Sequence, residues 1–99
     1  MDRERISDWD PAEFLENDTK IVLYLEAALE ENDPALIAAA LGDIARAKGM
    51  TQIAQETGLG RESLYKALST DGNPSFATIL KVVESLGLQL SAVPKKKIA

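Results

Sequence analysis

The sequence predicts an all-α fold, a bundle of short helices closed by one brief C-terminal strand. Three observations predict it. Helix formers dominate, and strand-type alternation is confined to one short stretch. Two Asp-Pro pairs, Asp10-Pro11 and Asp33-Pro34, each place a capping side chain beside a proline at the first helical position. Apolar residues then recur at helical spacing in the segments that follow. The 99 residues are enough for one domain and one modest core.

The elements follow in order. Residues 1–9 are polar and read as loosely ordered. Asp10-Pro11 opens a short helix over Pro11–Glu16. Asp18 or Thr19 caps a second helix to about Glu31, with Ile21, Leu25, Ala28 and Leu29 on one face. Val22, Leu23 and Tyr24 widen its apolar surface beyond one stripe. Asp33-Pro34 starts a third helix to about Lys48, with Leu36, Ile37, Ala40, Leu41 and Ile44 as its buried stripe. Arg46 and Lys48 suit the negative end of its dipole, and Gly49 ends it.

Two short helices are expected next, Thr51–Thr57 capped by Thr51 and Arg61–Leu68, separated by Gly58-Leu59-Gly60. Asp71-Gly72-Asn73-Pro74 is a dense turn signal. Ser75 caps a further helix from Phe76 to about Leu86, with Phe76, Ile79, Leu80, Val83 and Leu86 facing inward. Leu88–Ala92 alternates as a strand, and Pro94 terminates it.

The net charge of −5 argues, taken whole, against a nucleic-acid partner. The charge is unevenly placed, however. Residues 1–33 hold three bases and eleven acids, a net −8, and residues 34–99 hold eight bases and five acids, a net +3. The chain divides accordingly into an acidic N-terminal helical extension (1–33), a central domain (34–93) and a basic tail (94–99). There is no Cys and no His, which excludes disulfides, thiolate metal sites and Ser-His or Cys-His catalysis within this chain. Asp8, Asp10, Glu13 and Glu16 surround a helix start, where acids stabilise the dipole, and are not read as metal ligands. Gly58-Leu59-Gly60 lacks the third glycine and the preceding strand of a phosphate loop. The reading is therefore of a non-enzyme with no metal and no cofactor. No apolar run is long enough to span a bilayer and no signal peptide is apparent, so no membrane role is expected and a cytoplasmic location is.

The segment Met50–Ser69 carries the functional signal. Ala54 is small where two helices cross closely, and Gly58 permits a left-handed turn four residues later. Ile53, Leu59, Leu64 and Ala67 fall where two steeply packed short helices bury side chains. Arg61, Glu62, Tyr65 and Lys66 then face outward. This is the pattern of a helix-turn-helix, whose second helix enters the DNA major groove.

These residues resemble the lambda-repressor/Cro class of helix-turn-helix domains, over about Pro34–Leu88. The flanks extend the likeness. Trp9-Asp10-Pro11-Ala12-Glu13-Phe14-Leu15, Tyr24–Glu30 and Asp33–Arg46, with Gly49-Met50-Thr51-Gln52 and Arg61–Leu68, resemble the addiction-module antidote proteins. Those are prophage-type antitoxins of bacterial type II toxin–antitoxin systems. The resemblance implies a protein that neutralises a RelE/ParE-like toxin by direct binding and represses its own operon by binding operator DNA as a homodimer. The alternative is a stand-alone prophage-type repressor without a toxin.

The resemblance also assigns roles. Gln52 matches a position that touches backbone phosphate. Arg61 pairs with guanine or phosphate, and Glu62 accepts from cytosine or orients Arg61. Tyr65 meets a thymine methyl or a phosphate, and Lys66 a phosphate. Two bases on a recognition helix are few, so DNA affinity per subunit is expected to be modest. Toxins of this type are generally basic, which makes the acidic first third the expected contact, anchored by the aromatics Trp9, Phe14 and Tyr24. Dimerisation is expected through the strand, with Leu88 and Leu90 pairing across a two-fold axis.

Overall fold

A computed structural model describes residues 18–95. These form five helices: α1 (Asp18–Glu30), α2 (Pro34–Lys48), α3 (Met50–Thr57), α4 (Arg61–Ala67) and α5 (Phe76–Ser85). The helix expected over Pro11–Glu16 lies outside the described residues.

In α1, Ile21, Leu25 and Ala28 turn inward at helical spacing. Asp18 spends its carboxylate on Lys48 Nζ at 3.2 Å, which ties the start of α1 to the end of α2. This pair is exposed and contributes at most about 1 kcal/mol. Glu31 falls beyond the helix end, where Asn32 takes a left-handed φ of 55°.

Asp33 Oδ1 accepts from the Ala35 amide at 3.0 Å, and Pro34 occupies the first turn of α2. Leu41 and Ile44 are fully buried. Leu36, expected inside, is exposed. Ala40, Leu41 and Ile44 are buried as expected, and the covered face also takes in Ala38, Gly42 and Ala45, whose small size admits close neighbours.

Gly49 alone separates α2 from α3. At φ 112° its N–H closes α2 on the Ala45 carbonyl (2.9 Å), and its own carbonyl accepts from Ile53 N (3.1 Å). One residue thus serves both helices, so α3 begins at Met50. Thr51 is not the cap; it lies inside the first turn, exposed, and no side chain caps α3.

Ser75 caps α5 as expected, accepting from Thr78 N at 3.1 Å. The buried face of α5 is rotated from the expected one. Val82, Val83 and Leu86 are buried, whereas Phe76 is 65% and Leu80 43% exposed. Apolar residues cover more than half of this helix's circumference, and the chain's own core covers only one side of it.

The expected strand over Leu88–Ala92 is not formed. Among the described residues there is no strand, and residues 88–95 carry no regular secondary structure. The alternation in the sequence has another cause. Leu88 and Leu90 pack on the core while Gln89 and Ser91 face water, so a period of two arises without a ladder.

Ile21, Leu25, Leu41, Ile44, Ile53, Leu64 and Val82 belong to one cluster. All five helices therefore share a core, and α1 is part of it. Among the described residues no helix is long and apolar enough to cross a membrane.

Candidate nucleic-acid interface

The α3–α4 unit is built from the turn outward. Gly58 takes the left-handed conformation (φ 76°) and donates to the Ala54 carbonyl at 3.0 Å, ending α3. Thr57 is the buried polar residue of this unit. Its hydroxyl donates to the Ile53 carbonyl at 2.7 Å and accepts from Leu59 N at 3.3 Å, which pins the turn from inside. Nothing in the sequence marked Thr57, because a threonine at a helix end reads as solvated. Leu59 packs on the core, and the Gly60 carbonyl accepts from Leu64 N at 2.9 Å to start α4.

Leu64 and Leu68 anchor α4 from beneath, both buried. The opposite face carries Arg61, Glu62, Tyr65 and Lys66, all exposed. The Arg61 guanidinium lies 5.6 Å from the Tyr65 ring centroid, within cation–π range, and Nη2 makes a long 3.4 Å contact to the phenol oxygen. Arg61 and Tyr65, one helical turn apart, are therefore in contact on the exposed face. Among the described residues neither Glu62 nor Lys66 has an ion-pair partner. Gln52 is exposed on α3 and donates through Nε2 to Glu56 Oε2 at 3.0 Å. That bond sets a carboxylate beside the position expected to meet phosphate. Across α3 and α4, two bases balance two acids, Glu56 and Glu62.

The other expected contacts separate. Trp9 and Phe14 lie outside the described residues. Tyr24 is half-buried, and its hydroxyl donates to Asp43 Oδ2 at 2.6 Å, while Asp43 Oδ1 accepts from Arg46 at 2.8 Å. The ring thus ties α1 to α2. Leu23, next to it, is 61% exposed and is the larger apolar surface offered by α1. Leu88 and Leu90 lie against the chain's own core.

Burial, and then the bond to and charge of Asp43, push the Tyr24 phenol up to about 12, against a smaller opposing effect of Arg46. The fold favours the neutral phenol. Its contribution to stability is accordingly complete below pH 10 and is lost as pH rises toward 12. In a Tyr65→Phe background Tyr24 is the sole tyrosine. Alkaline absorbance titration of that variant should show ionisation near pH 12, and Asp43→Ala should lower the midpoint. A midpoint at the free tyrosine value would show that the tie to α2 does not exist in solution.

Residues 5–94 match a family model described as "Probable addiction module antidote protein". An uncharacterized protein of Haemophilus influenzae is 54% identical over 86 residues, covering 87% of this chain and 89% of that relative. No solved structure matches.

Proposed function

The chain belongs to the family of probable addiction module antidote proteins, and we propose on that premise that it is the antitoxin of a type II toxin–antitoxin pair. An antidote implies a toxin. In this reading the toxin is of RelE/ParE-like type and is neutralised by direct binding in the cytoplasm. The same chain represses its own operon by laying α4 in the major groove of operator DNA, with α3–Gly58–α4 acting as a helix-turn-helix of lambda-repressor type.

The observation that carries the DNA half is the construction of α4. Its inner face is locked by Leu64 and Leu68, and its outer face presents Arg61 stacked on Tyr65, with Lys66 beside them. Rigid placement of a few donors on a helix is what base and phosphate contacts need. The toxin half is supported by the net −8 of residues 1–33, which complements a basic partner and raises its association rate. Trp9 and Phe14 belong to this segment and are proposed as anchors. Tyr24 contributes by holding α1 on α2. The operator-bound form is a homodimer on half-sites about one helical turn apart.

An electrophoretic shift of the DNA upstream of the chain's own gene tests the DNA half. Binding should saturate with the intact chain and weaken steeply between low and moderate salt. A shift that is absent at low salt, with the chain folded by circular dichroism, would leave α4 without its proposed role.

A further inference from the structure

A groove of about 310 Å³ opens between the C-terminal end of α1, the start of α2, the start of α5 and the C-terminal segment. Leu29, Ile37, Phe76, Ile79 and Leu90 line it. Phe76 at its edge is the most exposed aromatic side chain among the described residues. The acids Glu30, Glu31 and Asp33 flank the lining residues Leu29, Asn32 and Pro34 along the chain, and Asp71 flanks Gly72. Lys81 lines a different cavity with Glu56 and Glu84. An apolar floor with an acidic rim at the α1–α2 junction discriminates among occupants. The chain's own residues 1–17 hold six acids against two bases and meet like charge here, whereas a basic segment meets opposite charge.

We propose that this groove is the docking site for a basic amphipathic segment of the toxin, its apolar residues seated on Leu29, Ile37, Phe76 and Ile79 and its Lys or Arg residues over Glu30, Glu31 and Asp33. The inference rests on the antitoxin reading for the identity of the partner, and on the groove alone for its chemistry. The arrangement is that of a helix laid in an apolar groove, with anchors at helical spacing and charges at the rim.

The test uses the full chain, isotope-labelled, titrated with a short amphipathic Leu–Lys peptide and with its Leu–Glu counterpart. The Leu–Lys peptide should shift the amide resonances of Leu29, Ile37, Phe76 and Ile79 to saturation, and the Leu–Glu peptide should not. Phe76→Ser, at an exposed position, should weaken Leu–Lys binding about tenfold. The pair Glu30→Lys and Glu31→Lys should invert the preference between the peptides. Equal binding of both peptides, or shifts elsewhere, would overturn the proposal. So would groove resonances that move with chain concentration, the signature of a second copy, or on deletion of residues 1–17 without peptide, the signature of the chain's own segment. The partner is read separately, by co-expression with the product of the adjacent gene. If the wild type and the Phe76→Ser, Glu30→Lys, Glu31→Lys variant both protect cells, the groove assignment fails and the antitoxin reading stands. If the wild type gives no protection, the antitoxin reading fails, and the peptide titration decides the groove on its own.

Discussion

On the proposed reading, replacing Arg61 and Lys66 together with alanine should abolish operator binding and leave toxin binding intact. The two side chains are the only bases on α4. A base-edge contact is worth about 1–3 kcal/mol, so if both side chains make contacts of that order, removing them from one subunit costs at least about 30-fold in affinity. A dimer loses the contacts twice. The salt dependence changes as well: each lost phosphate contact flattens the slope of log affinity on log salt by about 0.9. Both residues are exposed, and neither contributes to the core. The variant should therefore melt with the wild type, since surface substitutions of this kind stay within about 0.5 kcal/mol. Arg61→Lys is a sharper variant. It keeps the charge but loses the planar guanidinium that stacks on Tyr65. It should preserve the salt slope while losing discrimination among operator sequences. A double alanine variant that shifts operator DNA at the wild-type concentration would remove α4 from the interface.

Gly42→Ala has the second large effect, and its sign is diagnostic. In an ordinary helix interior, alanine is more favourable than glycine by about 1 kcal/mol. At Gly42 an added Cβ would overlap the Leu68 carbonyl oxygen, a backbone atom at the end of α4 that cannot rotate aside. The helices must separate, and overpacking of this kind costs about 3 kcal/mol. For a domain this size that lowers the melting temperature by more than about 10 °C. The damage falls on function too, because Leu68 is one of the two residues that seat α4. Gly60→Ala is the control. Its Cβ would lie 3.8 Å from the Ser63 hydroxyl, an ordinary contact, so the cost should be limited to about 1 kcal/mol, the amount by which alanine is poorer than glycine as the N-cap of α4. A Gly42→Ala protein more stable than wild type would mean that α2 and α4 do not approach as closely as described.

Much of this architecture is legible in the residues themselves. Asp33-Pro34, Ser75 and Gly58 announce helix ends through local chemistry, and each does so in the structure. Local hydrogen bonding and allowed φ decide these positions, so no distant contact is needed to read them. Burial is different. The apolar residues of α5 exceed what one interface covers, and only the packing of α3 and α2 against it selects Val82 over Phe76 and Leu80. Leu36 is lost from the core for the same reason. At Leu88–Ala92 the period of two predicts a strand that does not form, because periodicity records one covered face and says nothing of what covers it. The outward face of α4 could be read because Ala54, Gly58 and Leu64 fix the orientation of the whole unit. The groove could not. It is made where Leu29, Ile37, Phe76 and Leu90 converge, and their separation along the chain hides that convergence.

In the proposed reading one core carries two surfaces. The outer face of α4 suits operator DNA, and the acidic side of α1 and the start of α2 suits a basic protein. The most direct test of the antitoxin role is the growth of cells that express the adjacent gene product with and without this chain. The account predicts that the adjacent product alone arrests growth, and that co-expression of this chain restores it. It further predicts that the Arg61→Ala, Lys66→Ala variant restores growth as fully as wild type. Arrest that persists when the folded chain is co-expressed in excess would contradict the account.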